Sequence, residues 1–178
     1  MIAGGAPVDS ERKDGRTPLH IASYNGQIEI CRLLLEKGAQ PNSQDKLKCR
    51  PLHCAAFKGH VAVAALLLEK GALKDPLGVN DWTPLHFCAQ EGHADLARLL
   101  IVQHSCLLNV ADVRGWTPLL IAAYNEKKEV AELLTINGAD VSVKAKGGIT
   151  VVGLAREIGD EELAIALGVV YQGSWMKC

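Results

Sequence analysis

Read for its alternation of apolar and polar positions, the chain breaks into short helical stretches separated by polar turns. Leu19, Ile21 and Ala22 predict a short helix that ends at Asn25-Gly26. Thr17 stands where a side-chain oxygen can accept from a free N–H of the helix start. Pro18 suits the first helical position, where no N–H is needed. A second helix is predicted from about Ile28 to Lys37, with Cys31, Leu34 and Leu35 at helical spacing and Gly38 as a left-handed cap. The polar run from Gln40 to Asp45 then reads as a turn.

The whole pattern recurs. Arg50-Pro51-Leu52-His53-Cys54-Ala55 begins 33 residues after Thr17, and Thr83-Pro84-Leu85-His86-Phe87-Cys88-Ala89 another 33 later. Thr117-Pro118-Leu119-Leu120-Ile121-Ala122 follows after 34, and Thr150-Val151-Val152-Gly153-Leu154-Ala155 after 33. One helix pair cannot bury its own apolar face, so a fixed period of this size means stacked copies of one unit. The expected units are 12–44, 45–77, 78–111, 112–144 and 145–170, with 171–178, including Trp175, as a tail. Residues 1–11 are expected to be the end of a preceding partial repeat, because Gly5-Ala6-Pro7-Val8-Asp9-Ser10-Glu11 matches Gly38-Ala39-Gln40-Pro41-Asn42-Ser43-Gln44.

The copies differ in telling places. Arg50 replaces the capping threonine, a loss of about 1 kcal/mol at that helix start. The third copy carries one extra residue and has Ser105-Cys106 for Gly-Ala, which predicts a longer or bulged second helix near His104. The fourth has Leu120 for histidine and Glu126 for glycine. The fifth lacks both proline and histidine, and its Asp160-Glu161-Glu162 suits the first turn of a closing helix.

Thr-Pro-Leu-His followed by Ala, a Gly-Gln or Gly-His turn, Leu-Leu-Leu-Glu-Lys-Gly-Ala and the 33-residue period resemble ankyrin repeats over nearly the whole chain. The resemblance implies an all-α repeat solenoid, a stack of antiparallel helix pairs with β-hairpin fingers. It also implies a concave surface of finger tips and first helices that holds other proteins. Asn42 and Asn109 fall at a finger position that is hydroxylated in some such repeats, but Pro41 and Leu108 precede them instead of an acidic-aliphatic pair.

Composition narrows the function. A formal net charge of −1 lacks the basic footprint of broad nucleic-acid binding. No apolar run approaches the roughly 20 residues of a membrane span, the longest candidate being Leu163 to Tyr171, and Met1 to Pro7 lacks the regions of a signal peptide. The six cysteines show no C-x-x-C spacing and are read as reduced thiols of a cytoplasmic or nuclear protein. His20, His53 and His86 recur once per copy. Stacked helices lie about 8–10 Å apart and zinc–imidazole bonds are about 2 Å long, so one zinc cannot join two copies. These imidazoles, with His60 and His93, are expected to bond backbone between repeats. No metal, cofactor or catalytic constellation is expected.

The aromatics carry the functional signal. Five of the eight, Tyr24, Phe57, Trp82, Trp116 and Tyr124, fall at the finger base or the end of the first helix, on one side of the stack. Trp and Tyr are enriched in binding hot spots. Lys13, Lys46, Lys48 and Arg114 lie at finger tips; with Arg16, Arg50 and Lys58, the first three make the N-terminal half of this side basic, and Glu91 begins a more neutral half. The expected function is a non-enzymatic interaction module that binds a protein or peptide segment with apolar anchors and acidic residues through Arg16, Tyr24, Phe57, Lys58, Trp82, Glu91, Trp116 and Tyr124. The alternative is a regulatory or targeting segment of a larger enzyme such as a kinase, acyltransferase or ubiquitin ligase.

Overall fold

The computed structural model describes residues 7–159. The acidic run Asp160-Glu161-Glu162, the apolar run Leu163 to Tyr171 and the tail with Trp175 lie outside the described residues, as do the first residues of the preceding partial repeat. Within them, helix pairs follow one another: α1 (Pro18–Tyr24) and α2 (Ile28–Glu36), α3 (Pro51–Lys58) and α4 (Val61–Glu69), α5 (Pro84–Glu91) and α6 (Ala94–Arg98), α7 (Pro118–Tyr124) and α8 (Lys128–Ile136), then α9 (Val151–Ile158). First helices α1, α3, α5, α7 and α9 pack in one column, and α2, α4, α6 and α8 in another. No helix among the described residues is long and apolar enough to cross a membrane.

The core is periodic because the sequence is. Leu19, Leu52, Leu85 and Leu119 stand at equivalent positions of the first-helix column and are fully buried. Each such burial contributes about 1.5–3 kcal/mol. Ala22, Ala55, Cys88, Ala122 and Ala155 form a buried row of small side chains, so Cys88 serves as a small apolar residue. Leu34, Leu67, Leu100 and Leu134 repeat the arrangement in the second column.

Imidazoles join the repeats. His20 Nε2 lies 3.1 Å from the Cys49 carbonyl, His53 Nε2 2.9 Å from Pro76 O and 3.1 Å from Trp82 O, and His86 Nε2 3.2 Å from Trp116 O. A carbonyl can only accept, so the proton sits on Nε2 and Nδ1 is left as an acceptor. Nδ1 is used: it accepts from the backbone N–H of Thr17, Arg50 or Thr83 three residues earlier, at 2.9–3.1 Å. In the first and third repeats the Thr17 and Thr83 hydroxyls also donate to it, at 2.9 and 2.8 Å. The histidine thus supplies the half of a capping box that reaches back to the N–H ahead of the proline, and the second repeat keeps that half with Arg50 in place of threonine. Where histidine is lost, Thr117 and Thr150 accept from the N–H of Leu120 and Gly153. His60 and His93 make a second set of bridges, to the carbonyls of Tyr24 and Phe57 at 3.1 and 3.2 Å. Asn42 adds another, receiving Leu73 N–H and donating to Gly71 O.

The expected β-hairpin fingers are tight turns, and no strand occurs among the described residues. Each finger closes on one hydrogen bond between residues four apart, as in Asp45 N–H to Cys49 O at 2.9 Å and Asp112 N–H to Trp116 O at 2.8 Å. Neighbouring fingers share single bonds, among them Lys46 N–H to Asp14 O and Lys146 N–H to Arg114 O. Five residues per finger leave no room for a longer ladder. Gly15 (φ +81°) is needed at its turn, since a Cβ there would lie 2.9 Å from the Lys46 nitrogen.

The extra residue of the third copy is absorbed where the sequence places it. α6 passes into a π-helical turn over Leu99–Gln103, directly before His104. Single π turns of this kind take up one-residue insertions without breaking the helix. Ser105 then occupies the left-handed position (φ +50°) that Gly38, Gly71 and Gly138 hold elsewhere. Lys74 Nζ donates to the carbonyls of His104 and Ser105, both at 2.9 Å, and closes this helix end from the preceding repeat.

Two outcomes are expected. Ser105→Gly should raise the unfolding free energy by about 0.5–1 kcal/mol, the left-handed penalty of a side chain exceeding the extra freedom of glycine in the unfolded chain. Urea denaturation reads this directly. Burial lowers the pKa of His53 and His86 to about 4, and that of His20 in the same direction. A depressed folded-state pKa means that the stabilisation is complete above the ordinary value near 6.5 and is lost as pH falls from about 6.5 towards 4. The loss is on the order of 3 kcal/mol for each of His53 and His86. His86→Leu, which copies the fourth repeat, should flatten the pH dependence of the urea midpoint in that window.

Candidate functional site

Side chains at the finger bases and on the exposed flank of the first helices meet along one groove. Tyr24 stacks on Phe57 with ring centroids 6.1 Å apart, Phe57 meets Phe87 edge-on at 6.0 Å, and Phe87 meets Trp82 at 5.0 Å. These four rings form a continuous ladder from the first repeat to the third. Trp116 and Tyr124 form a separate edge-to-face pair at 5.2 Å in the fourth. Such pairs add about 0.5–1.5 kcal/mol beyond their burial, so the ladder also stiffens the stack.

Exposure separates these rings. Tyr24, Phe57, Trp82 and Trp116 are half-buried, whereas Tyr124 is 61% exposed. Trp116 and Tyr124 stand as a ridge between two recesses. One, of about 400 Å³, is lined by Trp82, Gln90, Arg114, Ile121, Asn125 and Ile149 together with the ridge. The other, of about 350 Å³, lies between the ridge and the fifth repeat, where Gly147, Gly148, Gly153 and Glu157 form its far wall. Gly153 takes the place of the histidine, so no side chain stands at that position of the wall.

The cations divide into engaged and available. Arg16 Nε donates to Asp45 Oδ2 at 3.4 Å and so clamps the first finger to the second. Arg50 Nε donates to the Asn42 carbonyl at 3.2 Å. Arg114 donates twice to Asp112 Oδ2, both at 3.2 Å, and lies 5.5 Å from the Trp116 ring centre. Lys58 differs: its exposed ammonium rests 4.9 Å from the Tyr24 centroid and 5.1 Å from that of Phe57, and no carboxylate among the described residues pairs with it. Cation–π contacts hold a charge without neutralising it.

Trp82 is half structural. Its indole N–H donates to Asp112 Oδ2 at 3.1 Å, the same place relative to the next finger that Arg16 takes against Asp45. Asp112 also receives the backbone N–H groups of Arg114 and Trp116, both at 2.8 Å. Burial alone would raise its pKa, but these hydrogen bonds from Trp116, Trp82 and Arg114 together hold it below the ordinary aspartate value.

The structure therefore brings Tyr24, Phe57, Lys58 and Trp82 together along one stretch, and Trp116 with Tyr124 along the next. Arg16 stands apart in its finger clamp. Glu91 is exposed, accepts from the neighbouring Gln90 amide at 2.7 Å and lines neither recess. Phe87, the ring that joins Phe57 to Trp82, was not singled out in the sequence. It follows His86 at a position held by Ile21, Cys54 and Ile121 in other copies, and aligning the copies at that column marks it as the odd residue.

No group of three or more His, Cys, Asp or Glu side chains among the described residues could hold a metal. The five described cysteines are buried and unpaired, and burial pushes the thiols of Cys54 and Cys106 up to about 12.

A family model described as ankyrin repeats (3 copies) matches residues 1–77 and again 72–145. No curated protein matches the chain.

The two kinds of aromatic neighbour separate under mutation. Asp112→Ala should destabilise the fold by roughly 2–3 kcal/mol, because two backbone N–H groups and the Trp82 indole lose one acceptor. Tyr124→Ala, at an exposed ring, should change stability by less than about 1 kcal/mol. Thermal and urea melts of the two variants test the contrast.

Proposed function

The chain belongs to the ankyrin-repeat family, and on that premise we propose that it is a non-enzymatic interaction module whose groove holds a segment of a partner protein. The carrying observation is the Trp116–Tyr124 ridge, a half-buried indole and an exposed phenol ring between two recesses on the finger side of the stack. Exposed aromatics of this kind anchor binding because they fill pockets at small entropic cost. The hydrogen bonds between repeats support a preorganised groove, which lowers the ordering cost of binding.

Charge favours a partner with acidic residues toward the first two repeats. Lys58 lies above its two rings there, and the exposed finger residues Lys13, Lys46 and Lys48 continue the positive side. Arg16 and Glu91 enter this reading as flanking residues, Arg16 through the finger that it clamps. Five buried free thiols are in keeping with a cytoplasmic or nuclear setting.

Affinity capture from cell lysate tests the reading with three proteins: wild type, the groove variant Lys58→Glu/Tyr124→Ala, and the control Ile136→Ser at an exposed residue of α8. Proteins held by wild type and control should be lost by the groove variant while all three melt alike. Equal capture by all three would move the interaction elsewhere on the chain.

A further inference from the structure

One donor in the groove lacks the acceptor that its counterpart has. The indole N–H of Trp82 meets Asp112 in the next finger. At the equivalent place beyond Trp116 stands Ala145, which has no acceptor side chain. No described residue accepts from the Trp116 indole, and that nitrogen is not among the buried polar atoms. Trp116 lines both recesses, so the open donor belongs to a residue that they share.

The spacing of the recesses restricts what can fill both. They lie on either side of one repeat, and adjacent packed helices are about 8–10 Å apart. Three residues of polyproline II advance about 9 Å and return to the same face. Three residues of a β-strand advance about 10 Å but point to the opposite face. An α-helix matches the distance only at seven residues, about 10.5 Å, and its carbonyls are already bonded within the helix. Polyproline II leaves every carbonyl open, which is what an unpaired indole N–H can use.

Resting on the groove reading above, we propose that this site takes an acidic, proline-bearing peptide segment in the polyproline II conformation. Apolar side chains three residues apart enter the two recesses, and the Trp116 N–H donates to a carbonyl between them. Arg114 flanks the ridge from the finger side. The segment's carboxylates lie on the side that runs toward Lys58, the exposed cation already seated on Tyr24 and Phe57.

The test is selection of a phage-displayed library of random dodecapeptides, each spanning about 37 Å in polyproline II, against the whole chain. Enriched clones should carry proline, two large apolar residues three apart, and Asp or Glu on one flank. A fluorescein-labelled synthetic copy of the leading clone should bind roughly threefold to tenfold more weakly to Trp116→Phe, which keeps an aromatic ring and removes the donor. Ala145→Asp, which supplies the donor with an internal acceptor as Asp112 does for Trp82, should weaken binding similarly without lowering the melting temperature. Clones that need Tyr124 but show helical spacing, or that ignore Trp116→Phe and Ala145→Asp, overturn this inference and leave the groove reading in place. Clones that also ignore Tyr124→Ala overturn both, and failure to enrich any clone overturns the polyproline assignment.

Discussion

Between each of the first three repeats and its successor lies a neutral imidazole whose proton is forced onto Nε2 by the carbonyl facing it. That constraint settles more than one bond. With Nε2 as donor, Nδ1 must accept, and it takes the N–H at the start of its own helix. Helix capping and repeat-to-repeat spacing become a single hydrogen-bonded unit. The carbonyls that receive these protons belong to Cys49, Trp82 and Trp116, the finger-base residues. The groove's two indoles are therefore held through their own backbones by the histidines behind them. A buried imidazole that gained a proton would present N–H to the very donors it now serves, so the stack depends on its staying neutral.

The contact between a finger-base side chain and the next finger shows how one geometry carries different chemistry. Arg16 meets Asp45, Trp82 meets Asp112, and Trp116 faces Ala145. The first two are closed internally. The third is open, and it is the one that lies between the recesses. One change in the following finger, alanine at 145 where the finger before has Asp112, leaves the indole donor available.

Much of this was legible from spacing alone. The period required stacked helix pairs, and the 34-residue interval located the irregular turn before His104 because an added residue must go somewhere in a helix whose ends are pinned by neighbours. The threonine cap holds at Thr117 and Thr150, but the pattern names only the residue at the helix start and not the imidazole that turns back to it in the first three repeats. The Arg16 clamp is invisible in the sequence because its acceptor, Asp45, is one repeat away along the chain and adjacent only in space. Phe87 is inconspicuous in the sequence for a related reason: it sits one residue past the histidine, in a column that is aliphatic or cysteine elsewhere. Periodicity reveals which positions are equivalent, and only packing reveals which equivalent position has been put to another use.

Leu120 stands in the histidine column of the fourth repeat, so no imidazole crosses to the fifth. The seams before it combine hydrogen bonds with apolar packing; this one relies more on packing against α9 and on the Lys146 contacts to Arg114 and Val113. The second recess is built across that seam, while the first is built across one that His86 spans. On the proposed reading, a ligand lying over the Trp116–Tyr124 ridge acts as a splint on the less firmly tied joint. Its binding and the docking of the last repeat are linked equilibria, and each strengthens the other by the same factor.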